Sequence, residues 1–187
     1  ESLADAIAAF HDKAEPGEAR GGVAGSRLII ENNAESFRLA PDGLFDADEV
    51  AALHENARAL VEMLADGLDA RRAAGAVRRC HGDLHLRNIC LIDDRPTLFD
   101  GIEFSRDFSE IDVLYDLAFL LMDLDFRGLG RLSSIIFNRY FDITGEVMAR
   151  PAALSVLPLF LSMRAAIRAH VDAVQAASLS DDAKRQQ

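Results

Sequence analysis

His81-Gly82-Asp83-Leu84-His85-Leu86-Arg87-Asn88, continued by Ile89-Cys90-Leu91-Ile92, the polar turn Asp93-Asp94-Arg95, Pro96-Thr97-Leu98-Phe99 and Asp100-Gly101-Ile102-Glu103, is the stretch whose reading decides the fold. Asp83 and Asn88 fall in a short loop, and two apolar runs joined by a polar turn predict a hairpin that carries Asp100 back beside that loop. One carboxylate near a substrate hydroxyl, with an amide and a second carboxylate offering hard oxygens to a small divalent cation, meets the requirements of phosphoryl transfer from ATP. In this reading Asp83 orients or deprotonates the acceptor hydroxyl, Asn88 and Asp100 hold the metal, and His81 braces the loop.

His81-Gly82-Asp83, four residues, Asn88 and then Phe99-Asp100 resembles the catalytic loop and metal-binding segment of the aminoglycoside phosphotransferase and choline kinase family, within the protein-kinase-like fold. His-Gly-Asp stands where protein kinases have His-Arg-Asp, with the same spacing from Asp to Asn. Asp100-Gly101-Ile102-Glu103-Phe104, Ile111-Asp112 and Asp116-Leu117-Ala118-Phe119-Leu120 resemble the bacterial branch whose substrates are unassigned. The similarity runs from about Leu3 to Val171 and is strongest over residues 80 to 125. It implies a mainly α lobe with a small β-hairpin (α+β), the C-terminal lobe of a kinase-like fold. It further implies ATP and Mg²⁺ as cofactors, a small hydroxyl-bearing acceptor, and Asp112 and Asp116 as residues that orient the loop. His85, Arg87 and Glu103 are the remaining candidates for contact with acceptor or phosphate.

Composition bounds the rest. With 187 residues, half of them hydrophobic, the chain can bury a sizeable core in one domain over residues 1–187. A formal net charge of -11, with no offsetting basic cluster, opposes binding to nucleic acid or anionic membranes. No uninterrupted apolar run approaches about 18 residues, and no signal sequence opens the chain, so a cytoplasmic protein is expected. Cys80 and Cys90 are the only cysteines and read as free thiols.

Along the chain, a first helix is expected from Ser2 through Leu3, Ile7 and Phe10, with His11 near its end and without a chemical role. The glycines between Pro16 and Ser26 lack the Gly-Lys-Ser ending of a phosphate loop and read as a linker. Arg27 to Leu39 has helical spacing, although Ile29-Ile30 could equally begin a strand. Asp46 with Glu49 predicts a capped helix running to about Arg72, with His54 on its solvated face. Ser105 to Ser109 reads as a polar loop bordering the substrate. Glu110 is expected to open an apolar helix carrying Asp112 and Asp116 on one face. A further helix from Arg131 should close at Gly145, and a last one should run from Arg150 to about Ala177, interrupted or kinked at Pro158. On it Arg168 is expected to pair with Asp172. Residues 178–187 read as a frayed tail.

Kinase-like enzymes cover ATP with a Gly-rich strand pair and a strand lysine. This chain has only Lys13 and Lys184, neither in a strand-like context. The expectation is therefore a catalytic lobe without its ATP-gripping N-terminal lobe, inactive by itself and inclined to self-associate. A P-loop domain in a longer protein is a further expectation that the resemblance brings. Two other readings compete: a non-catalytic module that kept the loop, and a metal-dependent hydrolase using the alternating His81, Asp83 and His85 as ligands.

Overall fold

The computed structural model describes residues 1–17 and 20–185, with side chains described through Ala177. The frayed tail expected over 178–187 lies outside the described side chains. The helices are α1 (Ser2–Lys13), α2 (Gly22–Arg38), α3 (Ala47–Met63), α4 (Ala65–Ala73), α5 (Arg106–Ser109), α6 (Val113–Phe126), α7 (Gly130–Thr144), α8 (Glu146–Ala149) and α9 (Ala153–Arg185). Among the described residues, four short strands, β1 (Val77–Arg79), β2 (Ile89–Ile92), β3 (Arg95–Leu98) and β4 (Glu110–Asp112), form two antiparallel pairs. The fold is thus mainly α with a small β component, as expected.

Helix α6 organises the molecule. Its sequence, VLYDLAFLLMDLDF, is apolar around most of its circumference, so it is buried from Val113 to Leu124. Leu114, Leu117 and Leu120 are fully covered, each worth about 1.5–3 kcal/mol of burial. Val156, Leu159, Phe160 and Met163 of α9 and Ile136 and Tyr140 of α7 belong to the same core. Over Ala153–Ala177, α9 is long and apolar enough to cross a membrane by length and composition. A core helix passes the same test, and the first half of α9 packs against α6. Pro158 lies inside α9 and does not divide it.

The hairpin forms as expected. Ile92 pairs with Arg95, so the turn is the two residues Asp93 and Asp94, with φ of 48° and 59°, the left-handed pair that tight hairpins need. Asp46 caps α3 by accepting from the backbone N–H groups of Asp48 and Glu49 at 2.9 and 3.0 Å. Gly145 ends α7 at φ 62°.

Several expectations change. The helix from Asp46 does not run on unbroken: it bends at Leu64, where the bonds Leu64 N to Leu60 O and Leu68 N to Leu64 O persist, separating α3 from α4. His54 is buried rather than solvated, edge-on to Phe37 with its Nδ1 2.8 Å from the Val50 carbonyl. Arg27 to Arg38 is helix, which starts earlier, at Gly22, and is capped by Leu39. Ser105 to Ser109 holds the single turn α5. Glu110 to Asp112 is strand, not the start of a helix, and pairs with β1 through Val77↔Asp112. Residues 15–17 bond to the other side of β1 through Gly17 N to Val77 O and Arg79 N to Glu15 O. That explains a glycine in the linker: a Cβ on Gly21, at φ 81°, would lie 2.3 Å from Val77 Cγ2.

Candidate active site

The loop from His81 to Asn88 lies against α6 and is fastened to it at two points. Asp116 Oδ2 accepts from His81 N (3.1 Å) and Asp116 Oδ1 from Gly82 N (2.9 Å). Asp123 Oδ2 accepts from Leu86 N at 3.0 Å. Two carboxylates inside an apolar helix need such donors to stay ionised. Burial pushes the Asp116 carboxyl up, but the hydrogen bond from His11 and the charges of His11, Arg164 and His81 outweigh it and leave it below the ordinary range. At Asp123 burial is likewise outweighed, by the Leu86 amide and Arg127, with Arg168 adding to them.

Asp112, expected to share the loop-orienting role, faces elsewhere. Each of its oxygens accepts from the buried Arg71 (2.7 and 2.8 Å), and Oδ1 also caps α6 by accepting from Leu114 N. Arg71 also reaches Glu146 Oε2 at 2.9 Å, tying β4, α4 and α8 together. Because Asp112 ends a strand, it does not share a helical face with Asp116.

Asp83 sits at the outer rim of the loop with 40% of its side chain exposed. Asn88 Nδ2 donates to the Asp83 carbonyl at 3.0 Å and to Asp83 Oδ2 at 2.9 Å. Both partners are acceptors, which fixes the orientation of the amide and turns Asn88 Oδ1 away from Asp83. His85 Nδ1 accepts from Arg87 N at 3.2 Å, so its proton is on Nε2, which lies 3.4 Å from Asp83 Oδ2. The hydrogen bond from His85, acting against burial, holds the Asp83 carboxyl below its usual range, with Asn88 and Arg164 adding to it. Both contacts use Oδ2, and Oδ1 makes no hydrogen bond among the described residues.

His81 is buried and grips the segment around Asp100. Its Nε2 donates to the Phe99 carbonyl at 2.9 Å, and its carbonyl accepts from Ile102 N at 2.8 Å. Asn88 O accepts from Phe99 N at 3.1 Å. Asp100 is exposed at φ 59° and makes no hydrogen bond or ion pair among the described residues. Its free carboxylate and the amide oxygen of Asn88 are hard oxygen donors suited to Mg²⁺. Asp100 and Glu103 line one cleft with His81, while Arg87 and His85 line another with Asp83. The structure does not bring Glu103 and Arg87 to the same cleft. A third cleft, of about 280 Å³, opens beside Asp83 between α2, α5, α6 and α9.

His81, Asp83 and His85 do not converge as metal ligands. Among the described residues, the group of ligating side chains that does converge is His11, Cys80 and Asp116, all buried. It is satisfied internally: His11 Nε2 donates to Asp116 Oδ2 (3.1 Å), His11 Nδ1 is hydrogen-bonded with the Tyr140 hydroxyl (2.8 Å), and burial pushes the Cys80 thiol well up, keeping it protonated.

Sequence reasoning passed over Asp123, gave His11 no chemical role, and favoured an ordinary helix ion pair over an anionic contact for the face that Arg164 shares with Arg168. Asp123 was detectable as a second carboxylate seven positions after Asp116 in an apolar helix. His11 and Arg164 carry no local signal; they reach Asp116 only through tertiary packing, Arg164 Nη2 at 3.9 Å from Asp116 Oδ1. Arg168 pairs with Asp172 as expected and also with Asp123.

Among curated proteins, uncharacterized proteins of Mycobacterium bovis and of two strains of Mycobacterium tuberculosis are 26% identical over 182 residues, covering 94% of this chain and 35% of each relative. The chain spans about a third of the length of the curated relatives it matches. No solved structure matches significantly. The model of the phosphotransferase enzyme family, the kinase-like group of the aminoglycoside phosphotransferases, matches residues 1–154. That span covers the loop, the hairpin and the whole of α6, and the chain belongs to this family.

Proposed function

We propose that this chain supplies the catalytic lobe for transfer of the γ-phosphoryl group of ATP to a hydroxyl of a small molecule. The observation that carries the reading is Asp83, ionised, fixed through Oδ2 by Asn88 and His85, and open at Oδ1 beside a cleft large enough for a small acceptor. Oδ1 would accept the hydrogen bond of the acceptor hydroxyl and aim its oxygen. A carboxylate held below its usual range is a weak base, so its main work is orientation, with proton capture late, as the oxygen–phosphorus bond forms. Asn88 and Asp100 would hold Mg²⁺, which when bound neutralises charge on the phosphates. His81, gripping Phe99 and Ile102, sets where Asp100 stands relative to Asp83.

The donors that cover the phosphates belong, in this proposal, to other parts of a full-length protein, and the apolar side chains Leu91, Ile92 and Phe104, exposed here, favour self-association of the isolated lobe. The excess of acidic residues argues against nucleic acid and anionic membranes as partners and fits a cytoplasmic enzyme. The test is a phosphate-transfer assay on the full-length protein with Mg²⁺-ATP and a panel of alcohols. Product phosphorylated on a hydroxyl, dependent on Mg²⁺, is expected. Nucleotide binding without transfer to any acceptor or water would instead favour the non-catalytic module.

A further inference from the structure

We infer that the acceptor bound beside Asp83 is an uncharged alcohol with a mainly apolar body, rather than a polycation of the aminoglycoside kind. The inference rests on the phosphotransferase reading of Asp83 and concerns the cleft next to it.

The cleft of about 280 Å³ is walled by Ile29, Ile102, Phe108, Tyr115, Phe119 and Ile167. Its size suits a small ligand, and its walls are those of a site that binds by apolar and aromatic contact. The other charges around it each have an ion-pair partner, although Nη2 of Arg164 makes no hydrogen bond among the described residues. Asp107 is paired with Arg20. Arg164 donates from Nε to the Tyr115 carbonyl at 3.1 Å and faces Asp116, with its guanidinium 3.8 Å from the centroid of the Tyr115 ring. Asp83 is therefore the one lining carboxylate without an arginine partner. Burial lowers the pKa of His170, also on the wall, so that it is neutral at pH 7. The remaining polar groups, Asn32, Asn33 and Ser36, are uncharged hydrogen-bonding side chains.

A polycation desolvated in such a cleft needs several unpaired carboxylates, and only Asp83 is offered. On the far side of Asp83, Arg87 is exposed and has no ion-pair partner among the described residues, which adds repulsion. Arg168 and Asp172 there neutralise each other. The net charge of -11 thus does not reach the acceptor site, although it would by itself suit a cationic substrate.

Calorimetry on the full-length protein, without ATP and at physiological salt, tests this with 2-naphthalenemethanol and kanamycin as probes. The neutral alcohol is expected to bind with a Kd of about 1 mM or tighter, and kanamycin at least about tenfold more weakly. Phe108 is exposed at the cleft wall, so Phe108→Glu should spare the fold while weakening the alcohol by about tenfold, because it brings an unpaired charge to the apolar wall. Phe108→Leu should keep binding within about threefold. Kanamycin binding as tightly as the alcohol overturns the inference, as does no alcohol binding, or alcohol binding that ignores Phe108→Glu. Because binding is read without nucleotide, a failure of phosphate transfer counts against the phosphotransferase reading alone. Transfer to kanamycin but to no neutral alcohol sinks the acceptor class and leaves that reading standing.

Discussion

The loop carrying Asp83 and the segment carrying Asp100 face each other across His81, and they are held in opposite ways. The loop is buried along His81, Gly82, Leu84 and Asn88, and its amides are taken up by Asp116 and Asp123 of the central helix. The segment from Phe99 to Phe104 is largely exposed, with Phe104 at 88%, and is fastened mainly through Phe99 and Ile102. A carboxylate that must aim a hydroxyl benefits from rigid placement. A residue proposed to meet a hydrated cation and mobile phosphates can stand on a looser mount, and Asp100 does so at a left-handed φ that costs about 1–3 kcal/mol.

The comparison breaks most decisively at Asp116. Asp116→Ala leaves the amides of His81 and Gly82, His11 and Arg164 without their shared acceptor, and a loss of about 3–5 kcal/mol in unfolding free energy is expected by urea denaturation. A loss under about 1 kcal/mol would mean that the loop is anchored otherwise. The carboxyl groups of Asp116 and Asp123 lie below their ordinary range when folded, so their contribution is full above the unfolded pKa of about 3.9 and vanishes as pH falls through the folded values. Stability should therefore hold from neutrality to about pH 5 and drop steeply below about pH 4.

Next in size, Asp83→Asn in the full-length protein should keep the fold and nucleotide affinity while lowering turnover by about 10² or more; near-normal turnover would remove Asp83 from the chemistry. Gly82→Ala probes how closely the two regions meet. Gly82 has φ 82°, and a Cβ there would lie 3.1 Å from Ile102 Cδ1 of that segment and 2.8 Å from the Phe108 carbonyl beyond it. A cost of about 1–3 kcal/mol is expected by thermal unfolding. The smallest effect on stability, within about 0.5 kcal/mol, belongs to the exposed Asp100→Ala. That variant should nevertheless weaken Mg²⁺-dependent nucleotide binding more than Asp83→Ala does, and titrations in the reverse order would exchange the two roles.

What could be read from the sequence was local. The Asp93-Asp94 turn, the cap at Asp46 and the left-handed Gly145 each act within a few residues, and each forms as its residues predict. The loop was legible because its chemistry is packed into His81 to Asn88. The pairing of Val77–Arg79 with Glu110–Asp112 was not, since strands of three residues carry no periodicity and their partners are distant in the chain. The bend at Leu64 has no proline or glycine at the break to announce it. His54 was misplaced because its neighbours are charged, whereas its ring turns to Phe37 across α2 and α3. His11 and Arg164 became meaningful only when the fold set both against Asp116.

The spacing of Asp116 and Asp123 has a consequence for how this protein can change over generations. Seven residues of α-helix fall only about 20° short of two full turns, so both carboxylates point to one side, roughly 10 Å apart along the axis. Arg164 and Arg168, one turn apart on α9, stand behind them. The segment from Gly82 to Leu86 is thereby measured against a ruler of fixed pitch. Substitutions between these points alter the side chains on offer and leave the measure intact. An inserted or deleted residue in α6 between 116 and 123 would swing one carboxylate by about 100° and release an end of the loop, so length, more than composition, is what inheritance must conserve there.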